Sequence, residues 1–98
     1  MPIAFLIDYA GTSDQYDQTL KRLGFSTGGP APAGNLMHWA ALVDDAHIRA
    51  VDVWESQAQA DAFYNGPLAA ILKDMGVEPP TSVVSYDIHD YQIADVKA

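Results

Sequence analysis

Val51-Asp52-Val53-Trp54-Glu55-Ser56 is the stretch on which the reading of this chain turns. Its β-branched first half reads as a strand. Ser56 with Gln59 reads as a Ser-x-x-Gln capping box, in which each side chain satisfies a backbone N–H left unpaired at a helix start. Asp52 and Trp54 are two apart and so share one strand face, while Val51 and Val53 take the other. A carboxylate and a large amphipathic ring therefore lie side by side where a strand hands over to a helix.

Upstream, His47 to Glu55 and Asn35 to Val43 read as two strands joined at Asp44-Asp45-Ala46. A three-residue loop, a type I turn plus bulge with Ala46 left-handed, sets Val43 opposite His47 and His38 opposite Asp52. A two-residue loop sets Trp39 opposite Asp52 instead, because a one-residue slip turns every side chain over. The paired aspartates favour the first register. Ala46 counts against it, since the left-handed region suits Gly or Asn.

Residues 2–9 form the first strand. A first helix follows, with Ser13 as N-cap, Tyr16, Leu20 and Leu23 on one face, and Gly24 at its end. The segment from Phe25 to Gly34, with Gly28, Gly29, Pro30 and Pro32, excludes regular structure. Such a long connection either borders a binding site or is a solvated crossover. A second helix is expected over Gln57–Met75, kinked or restarted at Gly66-Pro67, where the proline ring would clash with the Phe63 carbonyl. Its buried stripe is Phe63, Leu68, Ile71, Leu72 and Met75. Ser82 to Tyr91 alternates as a fourth strand. Residues 1–91 are thus expected to form one domain, with 92–98 a tail.

The order β-α-β-β-α-β is the split arrangement of ferredoxin-like α+β folds, a four-stranded antiparallel sheet with both helices on one face. Yet the second strand is apolar on both sides, with Leu36, His38, Ala40 and Leu42 against Met37, Trp39, Ala41 and Val43. Two helices cover only one side. An apolar sheet face left open is rare on monomers, so a homodimer paired through sheet faces is expected.

Composition excludes several functions. Of 98 residues, 49% are apolar, and thirteen acids against five bases leave a formal net charge of −8. That balance repels phosphate backbones and anionic membranes, so no nucleic acid or membrane partner is expected. No cysteine is present, which removes disulfides and thiolate chemistry together. The run Ile3–Ile7 is too short for a secretory signal and follows no basic segment, so a cytoplasmic protein is the expectation. No phosphate-cradling glycine loop or Ser-His-Asp signature occurs.

The strand-end segment Asp52-Val53-Trp54-Glu55-Ser56, the following Phe63, the closing His89-Asp90-Tyr91 and the element order together resemble the dimeric α/β-barrel superfamily. Within it the chain is most similar to antibiotic-biosynthesis-monooxygenase-like small proteins. The resemblance spans residues 2–91, and its sharpest motif, Trp54-Glu55-Ser56, specifies fold more than activity. It implies a homodimer whose sheets close into a barrel, with a cavity between sheet and helices. Members include cofactor-independent monooxygenases of polycyclic phenols, haem-degrading enzymes, lactone isomerases and proteins of no known activity. The haem-degrading branch carries a strand-one asparagine where this chain reads Ile7-Asp8-Tyr9.

Candidate site residues follow. His38 facing Asp52 is the catalytic pair: the carboxylate fixes the tautomer and raises basicity, leaving the other ring nitrogen to take a phenol's proton. The phenolate can then react with O₂ without a bound cofactor, as the resemblance implies. The plainer alternative is a core histidine bonded to a structural aspartate. Trp54, Tyr16, Phe63, His89 and Tyr91 are candidate contacts to an aromatic or otherwise hydrophobic small molecule. Trp54 could equally be a core filler, and Trp39 belongs to the dimer face. His38 and His89 sit on opposite sheet edges, three spacings or roughly 14 Å apart, and cannot share a metal. His47 sits at the hairpin tip. A non-catalytic ligand-binding protein and an accessory protein that acts only by assembling remain as alternatives. A filled interior, with Trp54 and His38 packed and no cavity, would favour the last.

Overall fold

Four extended segments meet their backbone hydrogen-bond needs in a single antiparallel sheet of order β2-β3-β1-β4, in a computed structural model that describes residues 1–92. The strands are β1 (Ile3–Ala10), β2 (Asn35–Asp44), β3 (His47–Trp54) and β4 (Ser82–Asp87). Helix α1 (Ser13–Leu23) crosses between β1 and β2, and α2 (Gln57–Phe63) with α3 (Ala69–Asp74) connects β3 to β4. The fold is the expected ferredoxin-like α+β arrangement. The expectation of a tail over 92–98 falls, for residues 93–98, outside the described residues.

Several boundaries differ from the sequence reading, each for a local reason. The N-cap of α1 is Thr12 and not Ser13: its side chain accepts from the Gln15 N–H, and Gln15 returns the bond to the Thr12 N–H at 2.9 Å. Gly24 ends α1 in the left-handed conformation, φ 82°, as expected. Ser56 caps α2 through the Gln59 N–H, but only half of the expected box forms. The Gln59 amide donates to Glu55 at 3.2 Å and accepts from the Ser56 hydroxyl at 2.9 Å.

At the expected interruption the second helical segment restarts rather than kinks, giving two helices. Gly66 leaves helical geometry altogether (φ −103°, ψ −111°), and Pro67 has no N–H to continue the ladder. A wide π-type turn over Tyr64–Leu68 takes up the difference. The fourth strand ends at Asp87, short of the expected Tyr91. His89 and Tyr91 are therefore exposed beyond the sheet and share no strand face.

The hairpin combines features of both readings. Its loop is the short one, Asp45-Ala46, and no residue but glycine has positive φ. The register is nevertheless the one expected of the longer loop, with His38 opposite Asp52. The ladder slips between Leu42 and Asp44, so Val43 has no partner. This bulge supplies the extra residue that the turn lacks. Asp44 stabilises the corner by accepting from the Ala46 N–H at 2.8 Å and from His47 at 2.7 Å. Those contacts, the backbone one foremost, hold its carboxyl below the usual range.

Register sorts the two faces. Toward the helices lie the rows His38–Asp52–Phe5–Ser85 and Ala40–Ala50–Ile7–Val83, with Trp54 beside Ile3. The core gathers at Phe5, Trp54 and Ala60, with Ile3, Ile7, Phe63 and Tyr64 packed around them. Away from the helices run two apolar rows, Trp39–Val51–Leu6–Val84 and Met37–Val53–Ala4–Tyr86. Met37, Trp39, Val84 and Tyr86 stand exposed there. Beyond these rows Arg49 grips Asp8 with two N–H bonds, 2.7 and 3.2 Å. Asp8 therefore faces away from the helices.

Candidate active site

Five side chains from four elements form one continuous hydrogen-bonded chain on the helix side of the sheet. Trp54, the last residue of β3, donates its indole N–H to the Tyr64 hydroxyl at 2.9 Å. Tyr64 donates to Asp52 Oδ2 at 2.5 Å. The other oxygen, Asp52 Oδ1, meets His38 Nδ1. His38 Nε2 meets the hydroxyl of Tyr16, on α1, at 2.6 Å.

Trp54 sets the direction of the first two bonds of this chain, and an ionised Asp52 facing a neutral His38 sets the rest. An indole nitrogen only donates. Tyr64 therefore accepts from Trp54 and must send its own proton to the carboxylate. With both Asp52 oxygens acting as acceptors, His38 carries its proton on Nδ1. Nε2 is left with a lone pair, which accepts from Tyr16.

Depth follows the same order. Trp54 is 1% exposed and Asp52 7%, whereas the His38 side chain keeps 32% of its surface. The carboxylate is thus a buried charge with two donors, which a low-dielectric interior requires. Burial raises the Tyr64 phenol above its ordinary range, and the Asp52 charge adds to this. Burial raises Tyr16 as well, followed by the charges of Asp52 and Asp17. Tyr9, on the same face of β1, is pushed up to about 12 by burial and by its neighbours Tyr16 and Asp52.

Local sequence explains each placement. Tyr16 lies in the first turn of α1, aimed by the Thr12 cap. Its ring lies end to end with the His38 ring, the planes 6° apart and the centroids 6.2 Å apart. Tyr64 opens the wide turn forced by Gly66-Pro67 and packs edge-on against Phe5 and Trp54. Wide turns of this kind recur at functional sites.

Of the residues expected at the site, His38, Asp52, Tyr16 and Trp54 come together in this chain. Phe63 lies against Trp54, with centroids 5.5 Å apart, and against Phe25 of the long loop. His89 and Tyr91 lie beyond the end of β4, and neither is hydrogen-bonded to the chain. Trp54 fills the core and spends its one N–H on Tyr64. Tyr64 is the member that sequence reasoning left without a role. Its signal was present: it follows the buried Ala60 by one helical turn, so the two share a core-facing side.

Two surface grooves, of about 540 and 270 Å³, lie elsewhere. The first runs along Gln18, Lys21 and Arg22, and the second along Gly11, Gln15, Ala46 and Val77. Neither is lined by His38, Asp52 or Trp54.

No family model and no curated protein sequence matches this chain. Solved structures do. A Nitrosomonas europaea protein of unknown function aligns over 97% of this chain and 96% of its own at 15% identity, with a TM-score of 0.71. A Chloroflexus aurantiacus protein named for the antibiotic biosynthesis monooxygenases aligns over 96% and 100% at 15% identity, TM-score 0.66. SnoaB from Streptomyces nogalater, a cofactor-independent oxygenase, aligns over 92% and 95% at 12% identity, TM-score 0.62. At such identities the likeness speaks to backbone architecture. The chain has the ferredoxin-like fold of the antibiotic-biosynthesis-monooxygenase-like proteins.

Proposed function

We propose that this protein is a homodimeric, cofactor-independent monooxygenase-like enzyme acting on an aromatic, polyketide-like small molecule, with His38 as general base and Asp52 as its partner. The observation that carries this reading is the pairing of His38 Nδ1 with a buried carboxylate whose second oxygen is already satisfied by Tyr64. That arrangement leaves the second ring nitrogen, Nε2, directed toward Tyr16 at the outer end of the chain. A proton taken from an anthrone leaves an electron-rich anion. The anion reduces O₂, and a CH₂ becomes C=O with release of one water. Charge building on the imidazole is balanced by Asp52, which stays ionised. The likeness to a cofactor-independent oxygenase is consistent with this chemistry.

Dimerisation belongs to the same proposal. Two adjacent apolar rows on the open sheet face, with Trp39 at 44% and Tyr86 at 59% exposure, are what a sheet-to-sheet pairing of two copies would bury.

Oxygen uptake with 1,8-dihydroxyanthrone as probe tests the reading. Wild-type protein should consume oxygen, and His38→Ala should lower turnover by about 10²-fold or more. Equal rates in the two proteins would remove His38 from the chemistry. A second reading, an accessory protein of the same fold that acts only by assembling, draws on the burial of Trp54 and on the occupancy of Nε2 by Tyr16. It requires that 1,8-dihydroxyanthrone neither raise the melting temperature nor be oxidised.

A further inference from the structure

We propose that Tyr16, and not His38, meets the substrate, and that its hydroxyl relays the substrate's acidic proton to His38. The inference rests on the reading of His38–Asp52 as a base pair, and it changes where that base delivers its effect.

Three observations lead to it. First, the lone pair of His38 Nε2 is already used: Tyr16 Oη sits 2.6 Å away. A substrate proton cannot reach that nitrogen unless the phenol leaves. Second, the phenol is held in place. Its ring lies parallel to the imidazole. Its helix is pinned by the Thr12 cap, by Thr19, whose hydroxyl lies 3.4 Å from Met75 Sδ, and by Arg22 on Asp74 at 2.6 Å. Third, Tyr16 is only half-buried and, among the described residues, no other side chain bonds to its hydroxyl, so the oxygen keeps a lone pair for a newcomer.

Proton accounting then closes without another reagent. The substrate's acidic hydrogen passes to Tyr16 Oη while the hydrogen already there passes to His38 Nε2. The products are a substrate anion, a neutral tyrosine and an imidazolium facing Asp52. The two transfers must be coupled. Burial and the negative charges of Asp52 and Asp17 disfavour the Tyr16 phenolate, so the phenol gives up one proton only as it gains the other. Tyr16 is thereby a catalytic residue of unusual kind, unchanged in net protonation by the step.

The test uses the whole protein and 1,8-dihydroxyanthrone, and it reads two quantities. Tyr16→Phe keeps the ring but removes the relay oxygen. Oxygen uptake should fall by about 10²-fold, in kcat far more than in KM. In wild-type protein, the rate measured across mixtures of H₂O and D₂O should curve, as two protons in flight require. Tyr16→Phe turning over as fast as wild type, while His38→Ala is inactive, would overturn the relay and leave His38 as a base that meets substrate directly. A straight-line dependence on deuterium fraction in wild-type protein would overturn it too, with no variant needed. Equal rates in wild type, Tyr16→Phe and His38→Ala would overturn the base reading itself, and the relay with it.

Discussion

The indole N–H of Trp54 lies 2.9 Å from the hydroxyl oxygen of Tyr64, and that contact orients the Tyr64 proton. Because the indole cannot accept, the Tyr64 proton has only the Asp52 carboxylate as its destination. A residue expected to stack on a ligand instead directs Tyr64 onto the carboxylate that pairs with His38.

Tyr64→Phe should therefore harm both ends of its contact. It leaves the Trp54 N–H and Asp52 Oδ2 unpaired in a dry environment, at a cost of about 1–3 kcal/mol. The expected result is a lower denaturant midpoint together with slower oxygen uptake. A variant as stable as the wild type would mean that water replaces the hydroxyl.

Asp52→Asn tests the charge rather than the shape. An amide can aim its NH₂ at His38, which would then carry its proton on Nε2 and lose the lone pair that the mechanism needs. Turnover should drop by about 10²-fold or more with the fold retained. Near-wild-type turnover would make Asp52 purely structural.

High pH should unfold this protein through its tyrosines. Tyr9, Tyr16 and Tyr64 are all raised in the folded state, chiefly by burial. A group raised on folding contributes its full stability below its unfolded value, about 10 for tyrosine. The contribution is lost as pH climbs from there toward the folded values. Urea midpoints should hold steady up to about pH 9 and fall steeply above it. Tyr64→Phe should make that fall shallower, and an unchanged slope would contradict the assignment.

Gly34→Ala should be destabilising on two counts. Gly34 sits at φ 84°, and a Cβ there would come within 2.6 Å of the Gln59 side chain. The backbone term alone is about 1–2 kcal/mol. The second effect is local, because Gln59 holds Ser56 and Glu55 at the start of α2. Thermal unfolding of the variant checks the sum, and an unchanged midpoint would show that the loop can move away.

Trp39→Lys should separate the dimer. A charge at the β2 end of the Trp39–Val51–Leu6–Val84 row cannot be buried against a second copy without a partner. Native mass spectrometry should find wild-type dimers and variant monomers. A wild-type monomer would contradict the sheet-to-sheet proposal outright.

The element order, the apolar open face and the His38–Asp52 pairing were all legible in the sequence, because period-two alternation and a fixed strand order leave few arrangements. The hairpin shows where such reading stops. The Asp45-Ala46 loop is short, yet Val43 bulges out and restores the longer register. Bulges carry no composition signal as distinctive as Asn-Gly or Gly-Pro. Tyr64 was passed over for a different reason: it follows Ala60 by one helical turn and keeps helical backbone angles, but a tyrosine on a core-facing helix position carries no motif that marks it as a site residue. Thr12 and Ser13 are both competent N-caps, and only the reach of Gln15 separates them. His89 and Tyr91 continue the alternation of β4 in sequence, although the last ladder pair is Asp87 with Ile3.

The protonation state of the His38 ring, read by nitrogen-15 NMR on ligand-free protein near neutral pH, tests the central claim most directly. A directed chain from Trp54 predicts a proton on Nδ1 and a bare, hydrogen-bonded Nε2, with Tyr64→Phe or Asp52→Asn disturbing that preference. A proton resident on Nε2, or a free mixture of the two tautomers, would contradict the chain and the base built upon it.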